Sequence, residues 1–327
     1  MCVDINSVSY CLGGKKRLPA QRLVFVGHIS VDKVENVNGT RVQPGGAALY
    51  AAMAARTLSK NVTLISATGK DNQFRNILNL LPYKDVKIYD KPSTRFHIRY
   101  DRRWEAHYLK AEHGAGSRIT ARRISDQWFR HKSIFHISPM QPSKVARILD
   151  KIKKKSPDTK VSVNTWIDYI RDSRRNRKIL KDVALKADFF ILNDTEAKAL
   201  TQTDSISSAV RLLKAKRLVV TLGNLGAIIS GEDVDLQMVP ALTLPPDRVV
   251  DTTGAGDVWC GAFLATYNLT EDFVKSVGAA STISRIKCSD WGFQSLINLR
   301  FKEPNDVIEF FMGLKDGGIQ KRIFDYT

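Results

Sequence analysis

Four cysteines in 327 residues, Cys2, Cys11, Cys260 and Cys288, are too few and too scattered for a disulfide framework or a CxxC metal site. They are expected as free thiols. No stretch approaches the roughly 18 consecutive apolar residues of a membrane span. The N-terminus, with Asp4 and the polar "CLGGKKRLPAQR", has no apolar signal region. A cytoplasmic protein without a membrane partner is expected. A phosphate loop of the GxxxxGK[ST] type is missing, and "GAGSRI" at 114–119 lacks the third glycine of a dinucleotide fingerprint. Internal repeats and low-complexity tracts are also absent. Acidic residues are scarce beside basic ones, 33 against 51, for a formal charge of +18.

That charge raises a nucleic-acid partner as a possibility. The basic residues, however, are spread over helix-like stretches such as "KVARILDKIKKKSPDTK" and "RDSRRNRKILKD", with no basic tail, RGG tract or zinc finger. A solvated basic surface without specific nucleic-acid binding is the expectation. The apolar fraction of 43% suits a well-buried core. Residues 1–20 read as an N-terminal extension, and "RLVFVGHISVD" then reads as a buried strand ending in a glycine turn. Strand-like "VTLISATG", "SIFHIS", "KVSVN", "DFFILN" and "RLVVTLG" alternate with helix-like "AALYAAMAARTL", "SKVARILDKIKK" and "DTEAKAL". This rhythm predicts an α/β fold with a mostly parallel central sheet flanked by helices. Two polar, alternating segments within 28–44 and 93–114 predict a small β-sheet lid over the sheet's carboxyl edge. "EDFVKSVGAASTISRI" and "NDVIEFFMGL" are expected as closing helices.

The densest chemistry lies in "VVDTTGAGDVWCGAF", residues 249–263. A helix starting after Thr252 and Thr253 leaves the amides of Gly254, Ala255 and Gly256 at its positive end, an anion site that glycine keeps open. Asp257 adds a carboxylate to the same space. A capped helix with an acidic first turn is the plain alternative. A carboxylate beside an anion hole is costly unless a proton acceptor is needed there, which points to phosphoryl transfer onto a hydroxyl with Asp257 as base. An aspartate with an ordinary pKa of about 4 is a weak base, but positioning outweighs basicity in a loose transition state.

"DTTGAGDVWCGAF" and "PGGAALYAAMAARTL" resemble the two signatures of the ribokinase (PfkB-type) carbohydrate and nucleoside kinases. The resemblance runs from about residue 21 to 327 and implies a ribokinase-like fold, with ATP and Mg²⁺ as cofactors. By that resemblance Gly254, Ala255 and Gly256 form the anion hole and Asp257 is the catalytic base. Asp32, Gly45, Gly46 and Asn164 bind substrate. Asn193 and Glu196 of "NDTEAKAL" organise Mg²⁺ and its waters near the phosphates, with Glu196 closest to the metal. Thr221, Gly223 and Gly226 of "TLGNLGA" meet the nucleotide, and "AASTISRIKCSDWG" falls where the family holds adenine. The resemblance also allows a monovalent cation on carbonyls near Asp251 and Thr253, and a homodimer through the lid. Ala47 and Tyr50 replace asparagines common among the sugar kinases, and only Asn164 survives of an Asp-Pro-Asn stretch. The implied activity is transfer of the ATP γ-phosphate to a hydroxyl of a small polyhydroxylated substrate, a sugar or a polyol such as inositol. A nucleoside is the alternative, with Tyr50 or Trp104 stacking a base. Arg95, Arg99 and His107 alternate along one lid face and are either substrate ligands or ordinary hairpin charges. A basic nucleic-acid-binding protein on a non-catalytic kinase scaffold is the rival class.

Overall fold

A computed structural model describes residues 21–241, 248–301 and 306. The expected extension at 1–20 and all of the closing helix "NDVIEFFMGL" but Asp306 lie outside the described residues. The strands are β1 Arg22–Val26, β2 Ser30–Asn36, β3 Gly39–Gly45, β4 Val62–Gly69, β5 Tyr83–Tyr89, β6 Thr94–Tyr100, β7 Ala106–Glu112, β8 Ser133–Ile137, β9 Val161–Asn164, β10 Phe189–Asn193, β11 Arg217–Thr221, β12 Gly226–Gly231 and β13 Val234–Pro240. The helices are α1 Ala47–Ala55, α2 Pro142–Lys155, α3 Arg174–Lys186, α4 Asp194–Thr201, α5 Ile206–Leu212, α6 Ala255–Thr270, α7 Phe273–Cys288 and α8 Gln294–Ile297.

Nine strands form the main sheet in the order β13-β12-β11-β10-β9-β8-β1-β4-β5. It is parallel from β5 to β11, and only the β11–β12 and β12–β13 pairings are antiparallel. The near-continuous apolar strands are explained by burial on both faces. Along β1, Leu23 and Phe25 enter a core built with α1, α6 and α7, while Val24 and Val26 enter a second core with α2, α3, α4 and α5. The first core packs tightly because small residues meet. A Cβ at Gly261 of α6 would collide with the Ala51 carbonyl of α1, so only glycine permits that approach. In α2, Pro142 begins the helix and Val145, Ile148, Leu149 and Ile152 make its buried stripe. Lys153, Lys154 and Lys155 complement the negative C-terminal end of the same helix.

The lid is a four-stranded sheet, β3-β2-β6-β7, in which β2 and β6 pair in parallel and the other neighbours are antiparallel. "RLVFVGHISVD" is therefore two strands in two sheets. The chain leaves the main sheet after Val26 and enters the lid at Ser30, passing Gly27, where a Cβ would crowd Ser138. Beneath the lid, Val34, Ile98, Tyr100 and Trp291 form a separate apolar cluster. Three strands had no counterpart in the sequence reading. β5 is a half-exposed edge without a continuous apolar run, and β12–β13 form a hairpin whose outer strand is mostly exposed.

Candidate active site

At the carboxyl edge of the parallel strands lies a cavity of about 320 Å³, covered by lid residues Phe96, Ile98, Tyr100 and Tyr108. A second cavity, of about 460 Å³, lies alongside, between the lid turn at Arg103 and Trp104, the β11–β12 turn, and α7. Thr221, Thr252, Ala255 and Gly256 line both. The N-terminal end of α6 is thus the wall the two cavities share. A group passed between their occupants must cross it.

Gly254 caps α6 in a left-handed conformation, φ 72°, over the Tyr50 ring, which leaves no room for a Cβ. The Ala255 amide turns inward to the Thr252 carbonyl at 3.1 Å, and Val258 is the first to close a helical bond, onto Gly254 at 2.9 Å. The amides of Gly256 and Asp257 are left at the open helix end. Of the amides expected at 254–256, that of Ala255 is therefore taken up by the turn, while that of Gly256 stays open and is joined by that of Asp257. Nothing lies within 4 Å of where a Cβ on Gly256 would stand, so no protein neighbour demands glycine there. The open space suits an approaching phosphate.

Three carboxyl groups surround this point. Burial pushes Asp257 up to about 6, opposed by Asn164, whose Nδ2 donates to Oδ1 at 3.1 Å from the end of β9. Asp32, 2% exposed, is pushed up to about 7 by burial, with Asp251 and Asp257 adding to the rise and Ser30 and the Gly46 amide opposing it. Its Oδ1 has no hydrogen-bond partner among the described residues. Glu196, 6% exposed, is also raised to about 7 by burial, against bonds to Oε2 from Thr165 Oγ1 at 2.8 Å and Asn193 N at 3.1 Å. Asn193 in turn accepts from the Glu196 amide at 2.8 Å, a reciprocal cap on α4. The pair is thus a helix cap whose acid is buried. His28 also lines the cavity, and burial takes it down to about 3, so it is neutral.

Most of the expected site residues meet here. Asp32, Gly46, Asn164, Asn193, Glu196, Thr221, Gly254, Ala255, Gly256 and Asp257 line the first cavity. Gly223 and Gly226 line the second, together with Ser281, Ser284, Arg285 and Cys288 from the expected adenine segment. Gly45 lines neither; a Cβ there would collide with the Asp32 carboxylate, so this glycine makes room for that side chain. Trp104 lines only the second cavity, and Tyr50, which lines the first, is buried with its hydroxyl bonded by Gln43 at 3.2 Å. Arg95, Arg99 and His107 point away from the cavity and face Asp71, Glu35 and Asp101.

The sequence reading missed the aromatic enclosure of the first cavity. Trp166 packs against Tyr108, Tyr169 and Phe96 with ring centroids 4.9, 5.2 and 5.9 Å apart, and His113 stacks on Tyr169 at 6.3 Å. These residues come from two lid strands and from segments outside the motifs, so only the fold gathers them. Trp166 Nε1 and His113 Nδ1 are buried without partners among the described residues.

The profile of the pfkB family of carbohydrate kinases matches residues 20–298. The chain belongs to that family. It is an ATP-dependent kinase with a ribokinase-like fold. Among curated relatives it is 28% identical over 282 residues to the cytidine kinase of Thermococcus kodakarensis, covering 84% of this chain and 98% of that one. It is 26% identical over 289 residues to the ribokinase of Bacillus subtilis, covering 84% and 95%. The structure of Burkholderia thailandensis nucleoside kinase in complex with inosine superposes with a TM-score of 0.70 at 19% identity, covering 91% of this chain and 97% of that one. No helix among the described residues is long and apolar enough to cross a membrane.

Proposed function

We propose that this kinase phosphorylates a sugar hydroxyl of a nucleoside, with the acceptor in the first cavity and ATP in the second. The observation that carries the reading is the aromatic enclosure around Trp166. Bases present flat π faces, and stacking on aromatic side chains suits them better than it suits a bare polyol. The unpartnered Trp166 Nε1 and His113 Nδ1 offer polar contacts to the edge of a base. On sequence alone a sugar or a polyol such as inositol stands first; the enclosure favours a nucleoside instead. Relatives include both a cytidine kinase and a ribokinase, so the choice rests on the cavity.

In this reading Asp32 and neutral His28 bind hydroxyls of the acceptor, and the hydroxyl to be phosphorylated lies against Asp257. Its proton passes to the Asp257 carboxylate as its oxygen bonds to the γ-phosphorus, and the bond from that phosphorus to ADP breaks. The Gly256 and Asp257 amides hold the charge on the transferring group. Among the described residues no trio of His, Cys, Asp or Glu gathers to hold a metal ion. Mg²⁺ binds one or two carboxylates and brings its own waters and phosphate ligands. Glu196, steadied by Thr165 and Asn193, is the residue to hold it, and the ion would supply neutralisation of phosphate charge.

The test is ADP release with cytidine, uridine, inosine, adenosine, ribose and myo-inositol as acceptors. At least one nucleoside should exceed ribose and inositol by about tenfold or more in kcat/KM. Trp166→Ala should raise that nucleoside's KM by about ten- to hundredfold, the worth of one stacked base. A preference for ribose or inositol, or an unchanged KM in the variant, would overturn the nucleoside reading.

A further inference from the structure

Lys287, in the last turn of α7, has 0% exposure and takes no part in the steps above. Its Nζ donates to the Asp251 backbone carbonyl at 2.7 Å and lies 3.4 Å from Asp251 Oδ2, with the Tyr50 ring centroid 5.6 Å away. Asp251 opens the turn that carries the anion hole. Its Oδ1 accepts from the Thr253 amide at 2.8 Å, and its Oδ2 accepts from Gln43 of the lid at 3.0 Å and from the Gly292 amide at 2.9 Å. Gln43 also reaches the hydroxyl of Tyr50, the ring beneath Gly254. Burial raises the Asp251 carboxyl, but Lys287, Thr253 and Gln43 outweigh it and hold the group below its ordinary value.

Burying an ammonium costs several kcal/mol, and an apolar side chain of similar size is often as stable in such a place. Packing therefore does not account for this lysine. Burial lowers the Lys287 ammonium and Asp251 opposes that fall, while Nζ contacts both the carbonyl and the carboxylate of the residue that sets the turn. That carbonyl belongs to one of the two residues whose neighbourhood the family resemblance offered to a monovalent cation. With Nζ already on it, the site does not fit such an ion. We propose that Lys287 is a built-in cation, a positioning residue that fixes the 251–254 turn and frees the anion hole from dependence on a bound monovalent ion.

The test compares choline chloride with potassium chloride, each at about 100 mM so that screening is equal. It has two readouts. Calorimetric affinity for ADP needs no acceptor and so stands apart from the nucleoside reading, and kcat uses whichever acceptor proves active. Wild type should change by no more than about twofold between the salts in both, because a misplaced anion hole would cost on the order of a hundredfold. A loss of about tenfold or more in choline would overturn the proposal, since the lysine would then not replace the ion. Lys287→Met, similar in volume, should lower kcat in choline by about a hundredfold while the acceptor KM shifts by no more than about threefold. Lys287→Arg should recover part of the loss. A folded Met variant with wild-type kcat in choline would equally overturn the proposal. If the Met variant does not fold, the wild-type salt comparison decides alone.

Discussion

The proposed reaction makes Asp257 the base, a role open to it only when ionised, so its protonation should be visible in the rate. Burial lifts it to about 6 and the Asn164 bond at 3.1 Å opposes that rise. For wild type, kcat should be level above about pH 7 and fall tenfold per unit below about pH 6. Asn164→Leu deletes the donor and keeps the branched shape of the side chain. A hydrogen bond to a charged group contributes about 1.5–3 kcal/mol, and one pKa unit corresponds to about 1.4 kcal/mol. The full effect would be one to two units; water reaching the exposed oxygen recovers part of it, which leaves about one. The acid limb should then move from about 6 to about 7. At pH 6 the ionised fraction drops from about one half to about one eleventh, a loss near fivefold, while above about pH 8.5 the two enzymes converge. Asp32 and Glu196 titrate nearby, so each limb is an apparent value of the cluster, and the displacement between enzymes is the informative quantity. The assay is coupled ADP release at saturating substrates over about pH 5 to 9. Asp257→Asn should lower kcat by roughly 10²- to 10⁴-fold and remove the limb. An Asn164→Leu limb that stays in place or moves down, or an Asp257→Asn enzyme with near-normal kcat, would refute the assignment of the base.

Glu196→Gln keeps the Asn193 cap but removes the charge, so the Mg²⁺ concentration for half-maximal rate should rise by about tenfold or more; an unchanged metal titration would remove Glu196 from the metal site. Asp32→Asn tests the cost of burying an acid. The folded-state value of about 7 exceeds the ordinary 3.8, so the folded protein binds the extra proton, and this contribution to stability is full below pH 3.8 and lost as pH rises through 7. Asparagine does not titrate. The variant should therefore melt several degrees above wild type at pH 8, by at most about 4 kcal/mol, with the gap closing toward pH 4, as calorimetry would record. Equal melting shifts at both pH values would show that Asp32 is not held at a raised pKa.

The two-faced strands were legible because burial on both sides leaves an apolar run that no surface segment imitates; "RLVFV", "FFIL" and "RLVV" needed no structural hint. The lid was legible from its alternation: in β6, Phe96, Ile98 and Tyr100 face the cavity while Arg95, His97 and Arg99 pair with acids outside. Motif residues share one cavity because they are consecutive positions on one turn, as at Gly254–Asp257. What stayed hidden depends on positions distant in sequence. Tyr108, Trp166 and Tyr169 meet only when the lid closes against the segment after β9. Nor does anything in "SRIKCSD" mark Lys287 as different from the many solvated lysines, because its distinction is a partner 36 positions away. Even the Ala255 amide, assigned to the anion hole from the motif, is diverted by a turn bond that only coordinates reveal.

The sequence also undervalued the base. An aspartate at an ordinary pKa of about 4 would be a poor proton acceptor at neutral pH, acceptable only because the hydroxyl sheds its proton late. Burial changes the comparison by about two units, or about 2.7 kcal/mol of basicity. If about half of that is felt in the transition state, the gain is about tenfold in rate, while Asp257 still remains mostly ionised at pH 7. A stronger base would be protonated too often at neutral pH, and a weaker one would waste the position it holds. The same desolvation that weakens the folded protein through Asp32 therefore places Asp257 near the value most useful to the proposed base. An apolar lid over a wet, exposed carboxylate could not achieve this. It requires a carboxyl that is buried, given one donor from Asn164, and set beside amides that carry the opposing charge.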